Sequence, residues 1–269
     1  MSWIGEGPIR PEVPPASPPL AVKRLTVGYP GSPPLLTEVT FKVEAGEIFG
    51  ILGPSGCGKS TLLRHLVGLE RSEEGDIELF GQNLWAGGEA ELDSLRRQFG
   101  IMYQGGALFG DMTLLENVEM PLKEFTTLSP GAIETSARLK LALVGLSGFE
   151  HHSPAAISGG MRKRAAIARA LALEPGLLFL DEPSAGLDPV TSAGLDSLIM
   201  TLARNLSLSF VMVTHELGSI MNTLDRAILL DKEAGGVVAE GTPSFLARES
   251  SSPQAAAFFR RRKDDRLRR

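Results

Sequence analysis

The strongest constraint on this chain is an eight-residue loop, Gly53-Pro54-Ser55-Gly56-Cys57-Gly58-Lys59-Ser60, which fits the pattern G-x-x-x-x-G-K-[ST]. The short apolar run Ile48–Leu52 precedes it, and helical spacing follows from Ser60 to Leu69. Strand, glycine-rich loop and helix in that order form a phosphate cradle. Glycines let backbone N–H groups converge on an anion without Cβ clashes, and the helix N-terminus adds partial positive charge. Lys59 can reach the β- and γ-phosphates of a nucleoside triphosphate. The Ser60 hydroxyl, with Thr61 beside it, lies where Mg²⁺ would be held. Cys57, the sole cysteine, reads as a small residue tolerated in the loop rather than as a nucleophile.

A second element lies some 120 residues downstream. Leu177-Leu178-Phe179-Leu180 is an apolar strand that runs into Asp181 and Glu182. Acids at the carboxyl end of a central strand sit where open α/β sheets place their ligands. Asp181 suits Mg²⁺, through water, and Glu182 is then placed to polarise the attacking water as general base. By itself this pair reads first as two acids capping a strand before Pro183; the upstream phosphate loop turns the balance to the catalytic reading.

The rest of the chain agrees with an α/β architecture. Leu20–Val27 and Leu35–Val43 alternate like an antiparallel pair joined by the Pro/Gly-rich stretch Tyr29–Pro34. Strands are expected at Asp76–Phe80, Phe210–Val213 and Ala227–Leu230, and helices at Glu91–Gln98 and Val190–Leu206. Residues 113–172 are mostly helical by pattern, with breaks near Pro130 and between Ser147 and Pro154. The alternation implies a mainly parallel central sheet with an antiparallel β subdomain and an inserted α-helical subdomain, the P-loop NTPase layout. The expected organisation is a Pro-rich arm over 1–19, a nucleotide-binding domain over 20–250 with its helical part at about 105–172, and a basic extension over 251–269. With 269 residues and 43% hydrophobic content the chain can build a substantial core, yet it has no apolar run of membrane-spanning length. The net charge of −5 argues against a general nucleic-acid binder, and a lone cysteine fits a reducing compartment.

With these motifs in view, the sequence resembles the nucleotide-binding subunits of ABC transporters from Leu20 to about Leu246. Ile157-Ser158-Gly159-Gly160-Met161 is similar to the family's signature, and the helix after it follows the family pattern. The resemblance implies further roles in chain order. Tyr29 stacks on adenine, Gln104 contacts Mg²⁺ or water, Ser184–Asp188 crosses to the opposite subunit, and His215 meets the γ-phosphate. It also implies that ATP is held between the phosphate loop of one subunit and Ser158, Gly159, Gly160 and Met161 of the other, so that a twofold homodimer completes both sites. Met161 departs from the glutamine usual in the family. Methionine there, with Tyr103-Gln104-Gly105-Gly106-Ala107-Leu108-Phe109 and Glu116-Asn117-Val118, resembles the Mla/Mce-type lipid-transport ATPases. That implies a subunit on the cytoplasmic face of an inner membrane, with a multi-span permease, a small cytoplasmic regulatory subunit and a periplasmic lipid-binding subunit as partners. An importer ATPase for a small polar solute is the competing reading.

The chain ends in an apolar helical stretch, Gln254–Phe259, and a run from Arg260 that holds seven Lys/Arg among ten residues. Three readings stand open: a tail docked on a neighbouring subunit, a solvated tail, or a contact with lipid headgroups. The central expectation is chemical. Glu182→Gln should keep ATP binding, nearly abolish hydrolysis and trap a closed dimer, read by nucleotide binding, phosphate release and size-exclusion chromatography. Wild-type turnover would remove Glu182 as the general base.

Overall fold

Hydrophobic patterning divides this chain into strands buried on both faces and strands buried on one, and the two kinds end up in different sheets. A computed structural model describes residues 17–29 and 31–267. In chain order the elements are β1 (Leu20–Val27), β2 (Leu36–Val43), β3 (Ile48–Leu52), α1 (Lys59–Leu66), β4 (Asp76–Leu79), β5 (Gln82–Asn83), α2 (Glu89–Arg96) and β6 (Phe99–Met102). There follow α3 (Leu114–Phe125), α4 (Pro130–Leu143), α5 (Gly159–Ala170), β7 (Leu177–Asp181), α6 (Pro189–Leu206) and β8 (Ser209–Val213). The chain closes with α7 (Leu217–Thr223), β9 (Arg226–Asp231), β10 (Gly236–Gly241), α8 (Pro243–Arg248) and α9 (Pro253–Leu267).

One sheet has the order β2-β1-β4-β5 and is antiparallel throughout. The other has the order β10-β9-β3-β8-β7-β6 and is parallel except for the edge strand β10. The central strands β3 and β8 are buried at every position, which is why they read as unbroken apolar runs rather than as alternation. Two apolar clusters fill the interior. Phe49, Ile51, Phe179, Val211 and Val213 point into one, with β1, β2 and α1; Leu52, Leu178, Leu180, Phe210 and Met212 point into the other, with α3 to α6.

The expected β1–β2 pair is present, with a register irregularity near Arg24, which has a positive φ of 47°. Glycine is needed at Gly75, where a Cβ would lie 2.3 Å from the Arg24 carbonyl oxygen. The short strands β5, β6 and β10 and the short helices α7 and α8 do not stand out in the sequence pattern. β6, for example, has Gly100 in its middle, and a Cβ there would come within 2.2 Å of the Ala170 carbonyl oxygen at the end of α5. Close packing of helix on strand, not strand propensity, sets that residue. Most of the Pro-rich arm lies outside the described residues; Pro19 is already held, accepting the Phe80 N–H at 3.1 Å.

Residue 250 is not a packing boundary. Ala255, Phe258 and Phe259 on α9 are buried in the same apolar cluster as Leu246 of α8. The apolar half of the expected extension thus covers its own chain. Phe259→Ala should cost about 3–5 kcal/mol, the range for emptying a largely buried aromatic site, checked by the urea midpoint.

Candidate functional site

Parallel strands deliver their carboxyl ends to one edge of a sheet, and this chain places its chemistry there. Gly53 follows β3, Gln104 lies two residues beyond β6, Asp181 ends β7 with Glu182 next, and His215 lies two residues beyond β8. The registers Ile51↔Val213, Asp181↔Val213 and Met102↔Leu180 bring these ends level. A cavity of about 500 Å³ opens along that edge, lined by Ser55, Lys59, Thr61, Gln104, Glu182 and His215 among others.

The phosphate loop is shaped by positions that exclude a side chain. A Cβ on Gly53 would lie 2.5 Å from Cys57 Sγ and 2.7 Å from the Leu230 carbonyl oxygen of β9. Gly58 caps α1 with a φ of 100°, a conformation that side chains rarely adopt. Lys59 Nζ curls into the loop and donates to the Gly53 and Pro54 carbonyls at 2.9 and 3.0 Å. Cys57 is buried, and burial pushes its thiol up, so it stays protonated and inert.

Glu182 is bound on three sides. Its N–H donates to the Val213 carbonyl at 2.8 Å. Its Oε1 lies 2.6 Å from His215 Nδ1, and its own carbonyl accepts from Lys163 Nζ at 3.2 Å. The residue holds a positive φ of 48°, a left-handed conformation that costs on the order of 1–2 kcal/mol for a non-glycine residue. The remaining oxygen, Oε2, is buried without a hydrogen-bond partner, as is Asp181 Oδ1. Burial pushes the Asp181 carboxyl up, the neighbouring Glu182 adds to this, and Lys163 and Lys59 oppose it. The unpaired Asp181 oxygen, with Ser60 and Gln104 at the same edge, is the kind of oxygen donor set a hydrated divalent cation needs, so the residues fit Mg²⁺.

Other sequence-derived site residues lie elsewhere. Tyr29 is half exposed at the end of β1, its hydroxyl 3.4 Å from Thr61 Oγ1. The fully buried His65 fixes that end, with Nδ1 3.0 Å from the Glu70 carbonyl and Nε2 3.2 Å from that of Gly28. Ser158 caps α5, its hydroxyl accepting the Met161 N–H at 3.2 Å. Asp188 caps α6 by accepting the Val190 and Thr191 N–H groups, both at 3.0 Å, and the Thr191 hydroxyl bond, together with these, holds its carboxyl low. Ser158, Gly159, Gly160, Met161 and Asp188 do not line the cavity. At Gly160 a Cβ would meet Thr191 Cγ2 at 2.4 Å, so the close approach of α5 and α6 demands glycine there whatever the residue binds.

An ABC transporter family model matches residues 36–185, more than half of the chain. This chain belongs to the ABC transporter family. It is 39% identical to the intermembrane phospholipid transport ATP-binding protein MlaF of Escherichia coli, over 84% of this chain and 82% of that protein. It is 44% identical to the probable ribonucleotide transport ATP-binding protein mkl of Mycobacterium tuberculosis, over 74% of this chain. The match spans only about half, 55%, of the mycobacterial protein's length. Among solved structures, it resembles the ATP-binding cassette MJ0796, described as a dimer in a post-hydrolysis state bound to ADP and Pi. That likeness has a TM-score of 0.75 at 31% identity and covers 83% of this chain and 98% of that one. Among the described residues no helix is long and apolar enough to cross a membrane.

One residue of this ABC chain that the motifs do not reveal is Lys163. It is buried, donates to the Gln104 and Glu182 carbonyls, and so ties α5 to the chain leaving both β6 and β7. Burial lowers its pKa, and the Asp181 and Glu182 charges hold it up. Arg169, further along α5, secures the same loop through the Gly106 and Ala107 carbonyls at 3.0 and 2.7 Å. In sequence Lys163 is one of three consecutive basic residues; only its helical spacing from Gly160 and Ile167, both buried, marks it out. Lys163→Met should cost about 1–3 kcal/mol by leaving two carbonyls unpaired, checked by chemical denaturation. It also removes a cation that favours ionised Asp181. The carboxyl should then rise further, and Mg²⁺-dependent nucleotide binding should require a higher pH than in the wild type, checked by titration calorimetry across pH.

Proposed function

We propose that this chain hydrolyses ATP as the motor subunit of an ABC transporter that moves phospholipid between membranes of the cell envelope. The observation that carries the hydrolytic part is the asymmetry of the Glu182 carboxylate. His215 occupies Oε1, whereas Oε2 is buried and unpaired on a residue that lines the cavity together with the phosphate loop. Oε2 is then the atom that takes a proton from the attacking water. The water oxygen bonds to the γ-phosphorus as the bond to the bridging oxygen breaks, and ADP leaves.

Lys59 has three donors and spends two on the loop carbonyls, so one remains for a phosphate oxygen. The P-loop N–H groups and the α1 N-terminus carry the rest of the phosphate charge. Ser60, Asp181 and Gln104 would hold Mg²⁺, which supplies charge neutralisation on the β- and γ-phosphates. His215 keeps Glu182 turned toward the cavity and places a cation-capable ring at its mouth. Tyr29 offers a ring for adenine at the end of β1.

Ser158, Gly159, Gly160, Met161 and Asp188 stand outside the cavity, which supports a site completed by a second copy. In a head-to-tail twofold dimer, the free N–H groups at the start of α5 would face the partner's nucleotide. The dimeric relative of similar fold supports the same arrangement. Such a motor needs a separate permease, and on this reading the subunit is peripheral to the inner membrane, with a periplasmic lipid-binding partner and a small regulatory subunit.

For the cargo, the support is the likeness to MlaF, which runs across most of both chains. The mycobacterial relative carries a ribonucleotide-transport name and favours a second reading, a polar solute. Native pull-down with mass spectrometry of the bound small molecules separates the two. Phospholipid together with a permease and a lipid-binding subunit supports the first reading. A nucleotide-type cargo with a solute-binding protein supports the second and overturns the first.

A further inference from the structure

A buried carboxylate without a cation has to be explained by what it holds. Asp196 lies on α6, is 5% exposed and forms no ion pair among the described residues. Burial pushes its carboxyl up, Ser219 and Ser184 pull it down, and Glu216 raises it again. Its partners are two hydroxyls from two other elements. Ser219 Oγ lies 2.9 and 2.7 Å from the two carboxylate oxygens, and Ser184 Oγ lies 3.4 Å from Oδ1. The two serines are 3.2 Å from each other. Ser219 and Ser184 are 1% and 3% exposed, so the network is shielded from bulk solvent.

The position of this cluster gives it a function. Ser184 is two residues beyond Glu182, and Ser219 is four beyond His215. The chain leaving β7 and the chain leaving β8 are thus joined twice. One joint is Glu182–His215 at 2.6 Å, inside the cavity; the other is Ser184–Asp196–Ser219, buried behind it. Asp196 also works with Asp188. The latter caps the start of α6, and Asp196, two turns along the same helix, takes hold of Ser184. The turn from Ser184 to Asp188 is therefore fastened to α6 at both ends.

We propose that Asp196 is a positioning residue for hydrolysis: with Ser219 and Ser184 it sets the alignment of His215 and Glu182 and ties that alignment to the Ser184–Asp188 turn. The inference rests on the reading of Glu182 and His215 given above. Asp196 does not line the cavity. The phosphate loop is anchored on β3 and α1 and shares none of these bonds, so nucleotide binding should be spared.

The test is steady-state ATP hydrolysis by the full chain, as the dimer or the intact transporter, with Asp196→Val, Asp196→Asn, Ser219→Ala and the double variant Asp196→Val/Ser219→Ala. Loss of the network should lower kcat about tenfold in Asp196→Val and in Ser219→Ala while KM for ATP stays within about twofold, the split expected when an interaction serves the reaction and not ground-state binding. Asp196→Asn keeps one acceptor oxygen and adds a donor for Ser184, so it should restore kcat to within about threefold of wild type. The double variant should be no slower than Asp196→Val, because both changes break one network.

Wild-type kcat in folded Asp196→Val or Ser219→Ala would overturn the proposal, as would additive losses in the double variant. A KM that rises in step with the fall in kcat would do the same. If Asp196→Val does not fold, Ser219→Ala and Asp196→Asn decide: a tenfold loss in the first with recovery in the second supports the proposal, and equal kcat in both refutes it. Glu182→Gln, run alongside, separates the two levels. Wild-type turnover there removes the underlying reading of the site, whereas an inactive Glu182→Gln with a fully active Asp196→Val sinks only the role of Asp196.

Discussion

The parallel pairing of β3, β8 and β7 is the constraint on which the rest depends. Three strands that run the same way must end on the same side, and residues far apart in the chain then converge without any loop reaching for them. Gly53, Glu182 and His215 are 129 and 33 positions apart in sequence, yet β3↔β8 and β7↔β8 registers fix them to one edge. Each strand is buried on both faces. A slip of register would put the same apolar side chains into the wrong cluster, so packing on both sides holds the edge level.

On that edge, charge is placed at a cost that packing has to offset. Glu182 sits in a left-handed conformation, Asp181 is buried beside it with an unpaired oxygen, and Lys163 is a buried ammonium between them and the Gln104 loop. None of these would persist on a free surface. Glu182 and Lys163 are over-determined by neighbours: the Val213 carbonyl and His215 for Glu182, the two backbone carbonyls for Lys163. A strained backbone and unpaired carboxylate oxygens gathered at one sheet edge mark a ligand site, which is the physical basis for reading this edge as the place of nucleotide chemistry.

The helical part of the chain is bound into the same site rather than hung beside it. α5 reaches the loop after β6 through Lys163 and Arg169, and Asn117 of α3 holds that loop further on, accepting from the Phe109 N–H at 2.8 Å and donating to the Phe109 and Thr113 carbonyls. α6 approaches α5 so closely that Gly160 has no room for a Cβ. Any shift of α5 must therefore be felt at the Gln104 loop, at the Glu182 carbonyl and along α6. On the proposed function this is the mechanical route between nucleotide and permease.

Much of this was legible in the residues alone. The spacing Gly53–Ser60 between an apolar run and a helix, and the apolar strand ending in Asp181-Glu182, determined the phosphate cradle and the kind of fold that presents it, because backbone approach to phosphate demands glycine and a buried parallel strand demands unbroken apolar side chains. What the sequence could not decide is who meets whom. His215 was read as a partner for phosphate, and only the level ends of β7 and β8 place its ring on Glu182. Lys163 carries no motif signal among three consecutive basic residues, and only the helix face turns it inward. Ser158 and Asp188 each cap a helix outside the cavity, an arrangement that only the folded chain displays. The apolar stretch near Phe259 left three fates open, and packing against Leu246 settles where its apolar face goes. Asp196 and Ser219 carry no signal in one dimension, since a buried network among three elements exists only once the sheet has brought those elements together.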